Sequence, residues 1–339
     1  MSAKILLDAN VLISQHFLKG HLGIALVHAL RNTSGQLVLP EATYVEARAK
    51  ALHIAEKRRT AIITATDQLQ VLLGSRPNID WPPIGAIASA IDDHLDAISD
   101  ILERPPIDLD LVRHALERVI KRKAPAHNSE QFRDALLWEF AAQLSRGCDV
   151  HFVTNDGDFL SREDGKKRLN PDLRREIDDA GLLLTHHLDV PSLLTALGPT
   201  AQQPDHDSIA RSLGDYLKPR LLKELDPHDL VVEEQLQTEA RAFATPNPND
   251  LAVSFDVGFQ GYAGSNASTS TTDATINAIG SASVDPRTYD VTGVQLERVD
   301  VTYPEGSTMT GGGIQYINPR SNTTRSWRPY DFRFPLDPQ

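Results

Sequence analysis

One arrangement constrains the fold of this chain more than any other: short apolar runs, closed by an acid, a proline or a turn, alternate with helical stretches. Lys4–Leu7 (KILL) runs straight into Asp8, and residues 37–39 (LVL) run into Pro40. Val150–Val153 (VHFV) runs into a turn over residues 154–159 (TNDGDF). Short continuous apolar runs bounded in this way read as strands buried on both faces. Alternation of such strands with helices reads as a parallel sheet covered by helices, so the predicted class is α/β.

The helices can be placed from their punctuation. Pro40 suits a first helical turn and opens a stretch reaching to residue 73. A Pro-rich break follows at 75–85, then helices over 87–102 and 108–121. Between 129 and 144 the residues Phe132, Leu136, Leu137, Phe140 and Leu144 recur at helical spacing, with Ser129 as the expected N-cap and Gly147 as the stop. A helix over 172–179 and a last strand over 181–185 complete this part.

The second half has a different texture. Residues 199–207 (PTAQQPDHD) read as a linker, helices follow to about Phe243, and 245–250 (TPNPND) is a breaker. Leu251, Val253, Phe255, Val257 and Phe259 alternate strictly, which predicts a half-buried strand of an antiparallel sheet. Residues 261–283 are small and polar, and read as a weak strand pair or a loop. Between 294 and 303 the period of two slips once, at Glu297/Arg298, which predicts a bulge. The expected domains are therefore 1–198 with a helical insertion at about 60–125, a linker and helical connector over 199–245, and a smaller antiparallel β-rich domain over 246–339.

Charge bears on partners. The chain has 339 residues and a net charge of −12. Residues 1–200 hold 23 Lys+Arg against 27 Asp+Glu, and residues 201–339 hold 11 against 19. The acid excess thus concentrates in the second half, which is expected to serve a protein partner or to restrain the first half. No apolar run approaches the ~20 residues of a membrane span. The single Cys148 excludes an internal disulfide and a Cys-rich zinc site, and fits a cytoplasmic protein.

Acids stand where a parallel sheet places its active site, beyond the carboxyl ends of strands. Asp8 follows the first strand, and Asp156 and Asp158 follow the VHFV strand. Glu46 lies on the helix after the second strand and Asp134 on the helix before the VHFV strand. Carboxylates gathered at one place repel one another and call for a cation. Mg²⁺ and Mn²⁺ take oxygen ligands, and a metal pair ~3.5–4 Å apart can activate water and stabilise a leaving oxygen. Taken singly each acid has an ordinary reading: Asp8 as a helix N-cap, Glu46 as a solvated helix residue, Asp134 as a partner of Arg133, Asp156 and Asp158 as turn formers.

The ordered set resembles the PIN-domain nuclease family, in its larger bacterial type with a helical insertion and an extra C-terminal domain. The matching pieces are ILLDANVL at 5–12, LPEATYVE at 39–46, FRDALLWEFA at 132–141 and FVTNDGDF at 152–159. The resemblance covers about residues 1–195. It implies a PIN-like sheet with helices on both faces. It implies Asp8, Glu46, Asp134 and Asp156 as catalytic, metal-holding acids with Asp158 as a fifth, and Asn10 and Thr154 as residues that orient ligands or water. It implies Mg²⁺ or Mn²⁺ as cofactor and endonucleolytic hydrolysis of RNA, with DNA as an alternative substrate. Glu41, five residues before Glu46, competes for the second acid role.

Three further readings complete the set. The basic runs Lys57-Arg58-Arg59 and Lys121-Arg122-Lys123 could hold a nucleic-acid backbone, as could Lys166-Lys167-Arg168 with Arg174-Arg175. His186-His187 reads as a strand-end pair, Trp138 as core, and Trp327 and Tyr330 as packing on the C-terminal sheet. Rival functions are a HAD-like phosphatase, which wants D-x-D where Asn10 stands, and a catalytically idle PIN scaffold used for binding. The sequence leaves RNA and DNA unseparated. It also leaves open whether the role is that of a toxin, a defence effector or a processing enzyme, and what the oligomeric state is.

Overall fold

The computed structural model describes residues 3–75, 82–127, 131–198, 204–225, 230–263 and 272–303, with strand segments at 308–311, 315–317 and 324–326. It divides into two compact units, Met1–Gly198 and Pro199–Gln339.

The first unit runs β1 (Lys4–Leu7), α1 (Ala9–Ser14), α2 (His21–Thr33), β2 (Gln36–Val38), α3 (Glu41–Leu73), α4 (Ile84–Ala97), β3 (Leu102–Glu103), α5 (Leu109–Ile120) and α6 (Phe132–Leu144). It continues with β4 (Val150–Val153), β5 (Leu160–Glu163), β6 (Lys166–Leu169), α7 (Pro171–Ala180), β7 (Leu184–His187) and α8 (Val190–Leu197). Five strands form one sheet in the order β3-β2-β1-β4-β7, and every pairing is parallel. Ile5, Leu6 and Leu7 are consecutive and all buried. Successive side chains of a strand point to opposite faces, so both faces of β1 are covered. On one face Leu6 meets Trp138 of α6, Phe152 of β4 and Leu173 of α7 in a common core.

The strand order positions the site. From β1 the chain winds outward through β2 to β3, then returns to lay β4 and β7 on the other side of β1. The direction reverses between β1 and β4, and a crevice opens beyond the carboxyl ends of strands at such a switch point. The residues that emerge there are Asp8 and the loop beginning at Thr154.

Several expectations need correction. The segment 60–125 is not purely a helical insertion, because β3 lies within it and pairs with β2 as the edge strand. Two residues are too few to show a period. Helix α3 is unbroken over 33 residues, ~50 Å at 1.5 Å per residue. Residues 166–169 form half of a hairpin, β5–β6. Gly181, in the left-handed region, ends α7, so the last strand starts only at Leu184. Helix α6 begins at Phe132 after Gln131, and Ser129 lies outside the described residues.

In the second unit α9 (His206–Leu225) packs on an antiparallel sheet of β8 (Leu230–Ala244), β9 (Leu251–Ala263), β10 (Thr272–Val284) and β11 (Val291–Thr302), continued by β12 (Thr308–Gly311), β13 (Gln315–Ile317) and β14 (Thr324–Ser326). Ile209, Leu213, Leu217, Leu221 and Leu225 form a buried i, i+4 stripe against Val253, Phe255, Val257 and Phe259 of β9. Residues 199–245 are therefore not a connector: α9 and β8 belong to the same core as the strands after 246. The bulge falls at Glu297, where Ile279 pairs with Arg298 but Gly280 pairs with Leu296. A Cβ on Gly280 would stand 2.2 Å from the Gln295 carbonyl oxygen. Gly280→Ala is therefore expected to cost on the order of 1–3 kcal/mol, read as a lower urea midpoint; an unchanged midpoint would mean the backbones separate freely there. Trp327 and Tyr330 lie outside the described residues. Among the described residues no helix is long and apolar enough to cross a membrane.

Candidate active site

Asp8 ends β1 and precedes the first turn of α1. Its carboxylate accepts from the Thr154 hydroxyl at 2.8 Å. At 5% exposure it is a buried acid rather than a solvated cap. The same Thr154 oxygen accepts from the Asp156 backbone N–H at 3.1 Å, and Asp156 in turn accepts from the Asp158 N–H at 3.1 Å. Asn10, on the first turn of α1, donates to Asp156 at 3.0 Å. Thr154 and Asn10 thus tie the segments after β1 and β4 together. The loop after β4 is fixed from behind by β7. The Thr154 N–H donates to the His187 carbonyl at 3.1 Å, and His186 Nε2 donates to the Thr154 carbonyl at 3.0 Å.

The acids bear on one another electrostatically. Burial pushes the Asp8 carboxyl above its ordinary value, and Asp156 and Glu46 add repulsion. The Thr154 hydroxyl and the Asn10 backbone N–H pull the other way without cancelling the rise. Asp134, on the first turn of α6, is pushed up to about 7. Burial is the largest cause, followed by repulsion from Asp156, Asp158, Asp8 and Glu46. All five sequence-predicted acids therefore occupy one electrostatic neighbourhood.

Glu46 faces Arg133 at 3.0 Å and Lys50 at 3.7 Å. Arg133 thus pairs across to α3 rather than with its neighbour Asp134. Glu41 lines the same pocket as Asp8, Glu46 and Asp134, whose walls include Pro40, Ile107 and Phe140. Its carboxylate, however, accepts from the Ile107 N–H at 3.4 Å, whereas Glu46 is the charge felt by Asp8 and Asp134.

A family model described as a PIN domain matches residues 5–159. The first unit carries a PIN domain. Proteins with PIN domains are generally nucleases that use divalent cations. No curated protein matches this chain.

Beyond the acid cluster, the basic runs separate. Lys57 and Arg58 are exposed on α3, and Lys57 stands eleven residues from Glu46, back on the same face of the helix. Arg59 pairs with Glu56. Lys121, Arg122 and Lys123 are exposed beyond α5, and Lys121 pairs with Glu117. Among the described residues none of these three bonds to one of the five clustered acids. His186 and His187 end β7. His187 is buried, its Nε2 meets His151 Nδ1 at 2.8 Å, and burial with the neighbouring imidazoles pushes it down to about 4. Sequence reasoning passed over Lys50, whose one signal is its i, i+4 spacing from Glu46; it named Arg133 and His186 but not the partners they meet here.

Proposed function

We propose that this protein is a metal-dependent endoribonuclease that hydrolyses phosphodiester bonds at the crevice between β1 and β4. The observation that carries the reading is Asp134: a carboxyl pushed up to about 7 among four other acids is poised for a cation. The donor set fits a hard divalent ion, because every donor is a carboxylate oxygen and the cation would relieve their repulsion. Among the described residues no three of these side chains stand together closely enough to hold an ion as they are placed, and Glu46 is engaged by Arg133. The fit is one of chemistry, and the final approach of Glu46 requires exchange of that partner.

Asp8, Glu46, Asp134 and Asp156 would hold Mg²⁺ or Mn²⁺, with Asp158 as a fifth acid. The bound cation would supply positive charge to the phosphate and a lowered pKa to water. The chain's own residues orient and exclude. Thr154 holds Asp8 by its hydroxyl, Asn10 holds Asp156, and the apolar wall of Pro40, Ile107 and Phe140 limits water on the side of α3, α5 and α6. Without the cation Asp134 ionises only at about 7, and the Asp8 carboxyl is held above its ordinary value.

Millimolar Mn²⁺ is expected to raise the melting temperature of the wild type by several degrees, through binding to the folded state alone. Asp134→Asn should shift much less. Equal shifts in both proteins, or none in the wild type, would mean that these acids do not bind the cation.

A further inference from the structure

We propose that Lys50 and Lys167 form a two-point clamp for the phosphodiester backbone of a single-stranded nucleic acid beside the acid cluster. The inference rests on the nuclease reading above and adds how the substrate is held.

The two ammonium groups share an unusual arrangement. Lys50 Nζ donates to Asn10 Oδ1 at 2.9 Å, and Lys167 Nζ donates to Asn155 Oδ1 at 2.7 Å. Each is tethered to a neutral amide oxygen, which takes one of its three hydrogens and none of its charge. Other cations of the same unit spend their charge on carboxylates: Arg31 on Asp100, Arg48 on Asp92, Lys121 on Glu117. Lys50 is also ion-paired with Glu46, at 3.7 Å, a longer contact than these and without a hydrogen bond.

Both tethers converge on one loop. Asn10 passes its own amide N–H to Asp156, and Asn155 is the chain neighbour of Asp156. One ammonium arrives from α3 and the other from the hairpin strand β6 that follows the loop. The amides hold each charge at a fixed place while leaving hydrogens for an incoming phosphate oxygen. A cleft of acids repels a polyanion. Fixed cations at its rim let the strand enter without neutralising the acids themselves. Lys57, on the Glu46 face of α3, extends the same track along the helix.

The test is binding of a short, labelled single-stranded RNA to the full-length protein, followed by anisotropy across a series of NaCl concentrations at fixed Ca²⁺. Lys50→Gln and Lys167→Gln are each expected to weaken binding about fivefold. Each should also flatten the slope of log K against log salt by about 0.7, the value for one phosphate contact on a single strand. Lys→Arg at each place should restore the slope, which a loss of local structure would not explain. Arg31→Gln, removing a carboxylate-paired cation, should leave it unchanged. An unchanged slope in the Lys50→Gln/Lys167→Gln double variant, or no binding by the wild type, overturns the clamp. Binding that depends on both lysines in a protein that cleaves nothing would sustain the clamp and defeat the nuclease reading. Cleavage with lysine-independent binding would do the reverse.

Discussion

Asp134→Asn is expected to lose at least about 100-fold in cleavage while making the metal-free protein more resistant to heat at pH 8. The rate loss follows because even residues that only orient a metal ligand contribute 10- to 100-fold, so a ligand should contribute no less. The stability gain follows from the sign of the shift. The folded-state pKa of Asp134 is about 7, above the ordinary 3.8. A raised acid favours the folded state at pH below 3.8, and that advantage is lost as pH climbs through 7. Above pH 7 the folded protein carries the full cost of the ionised, crowded carboxylate. A gap of about three pH units corresponds to at most ~4 kcal/mol. With partial solvent access we expect on the order of 1–3 kcal/mol, a few degrees of melting temperature. The gain should vanish at pH 4, where the folded carboxyl is protonated and the unfolded one nearly half so. A variant less stable than wild type at pH 8 without metal would show that Asp134 is held by favourable contacts rather than repelled by its neighbours.

Arg118→Ala should destabilise the first unit by about 3–5 kcal/mol, the range for breaking a buried charge pair. Arg118 is 7% exposed on α5 and reaches Glu139 of α6 and Glu176 of α7, both at 2.7 Å. It also donates to the Ala124 carbonyl. The Trp138 indole N–H shares the same Glu176 oxygen at 3.2 Å. Alanine would strand two carboxylates and a carbonyl at once beside the α6 core. Arg118→Met combined with Glu139→Gln and Glu176→Gln should recover most of the loss, because neutral groups need no partner charge. Urea unfolding reads both. A loss under about 1 kcal/mol in Arg118→Ala would mean that water reaches this cluster freely.

Which elements were legible in the sequence depends on how each one gains its stability. Strands β1, β2 and β4 are buried on both faces, so their apolar runs declare them. Helix α6 declares itself by period. Strand β8 does not: its residues, rich in Glu, Gln and Ala, favour a helix, and it is a strand because β9 offers it a partner. Its alternation is also broken. Val232, Gln235 and Thr238 pair with Gly261, Phe259 and Val257, so one residue is left over at each of two steps. Those two irregularities erase the period of two that marks β9. The small residues of β10 hid it likewise, although Gly280 is what allows the close approach of β11.

At the site, the acids were legible because each follows a strand or lies early on a helix at a fixed place in a parallel sheet. Thr154 and Asn10 were singled out only through the family resemblance. The partners of the basic residues were not legible. Arg133 to Glu46, Lys167 to Asn155 and the neutral His186 to Thr154 join different elements, and no spacing encodes such a meeting.

The central claim, that this crevice hydrolyses RNA with a divalent cation, is tested most directly by cleavage of labelled single-stranded RNA and DNA. Wild type and Asp8→Asn would be compared in Mn²⁺, in Mg²⁺ and in EDTA. The expected result is RNA cut by wild type with metal, no cutting in EDTA, and at least about a 100-fold loss in Asp8→Asn. Cutting that persists in EDTA or in Asp8→Asn, or RNA left intact by wild type with metal, would contradict it.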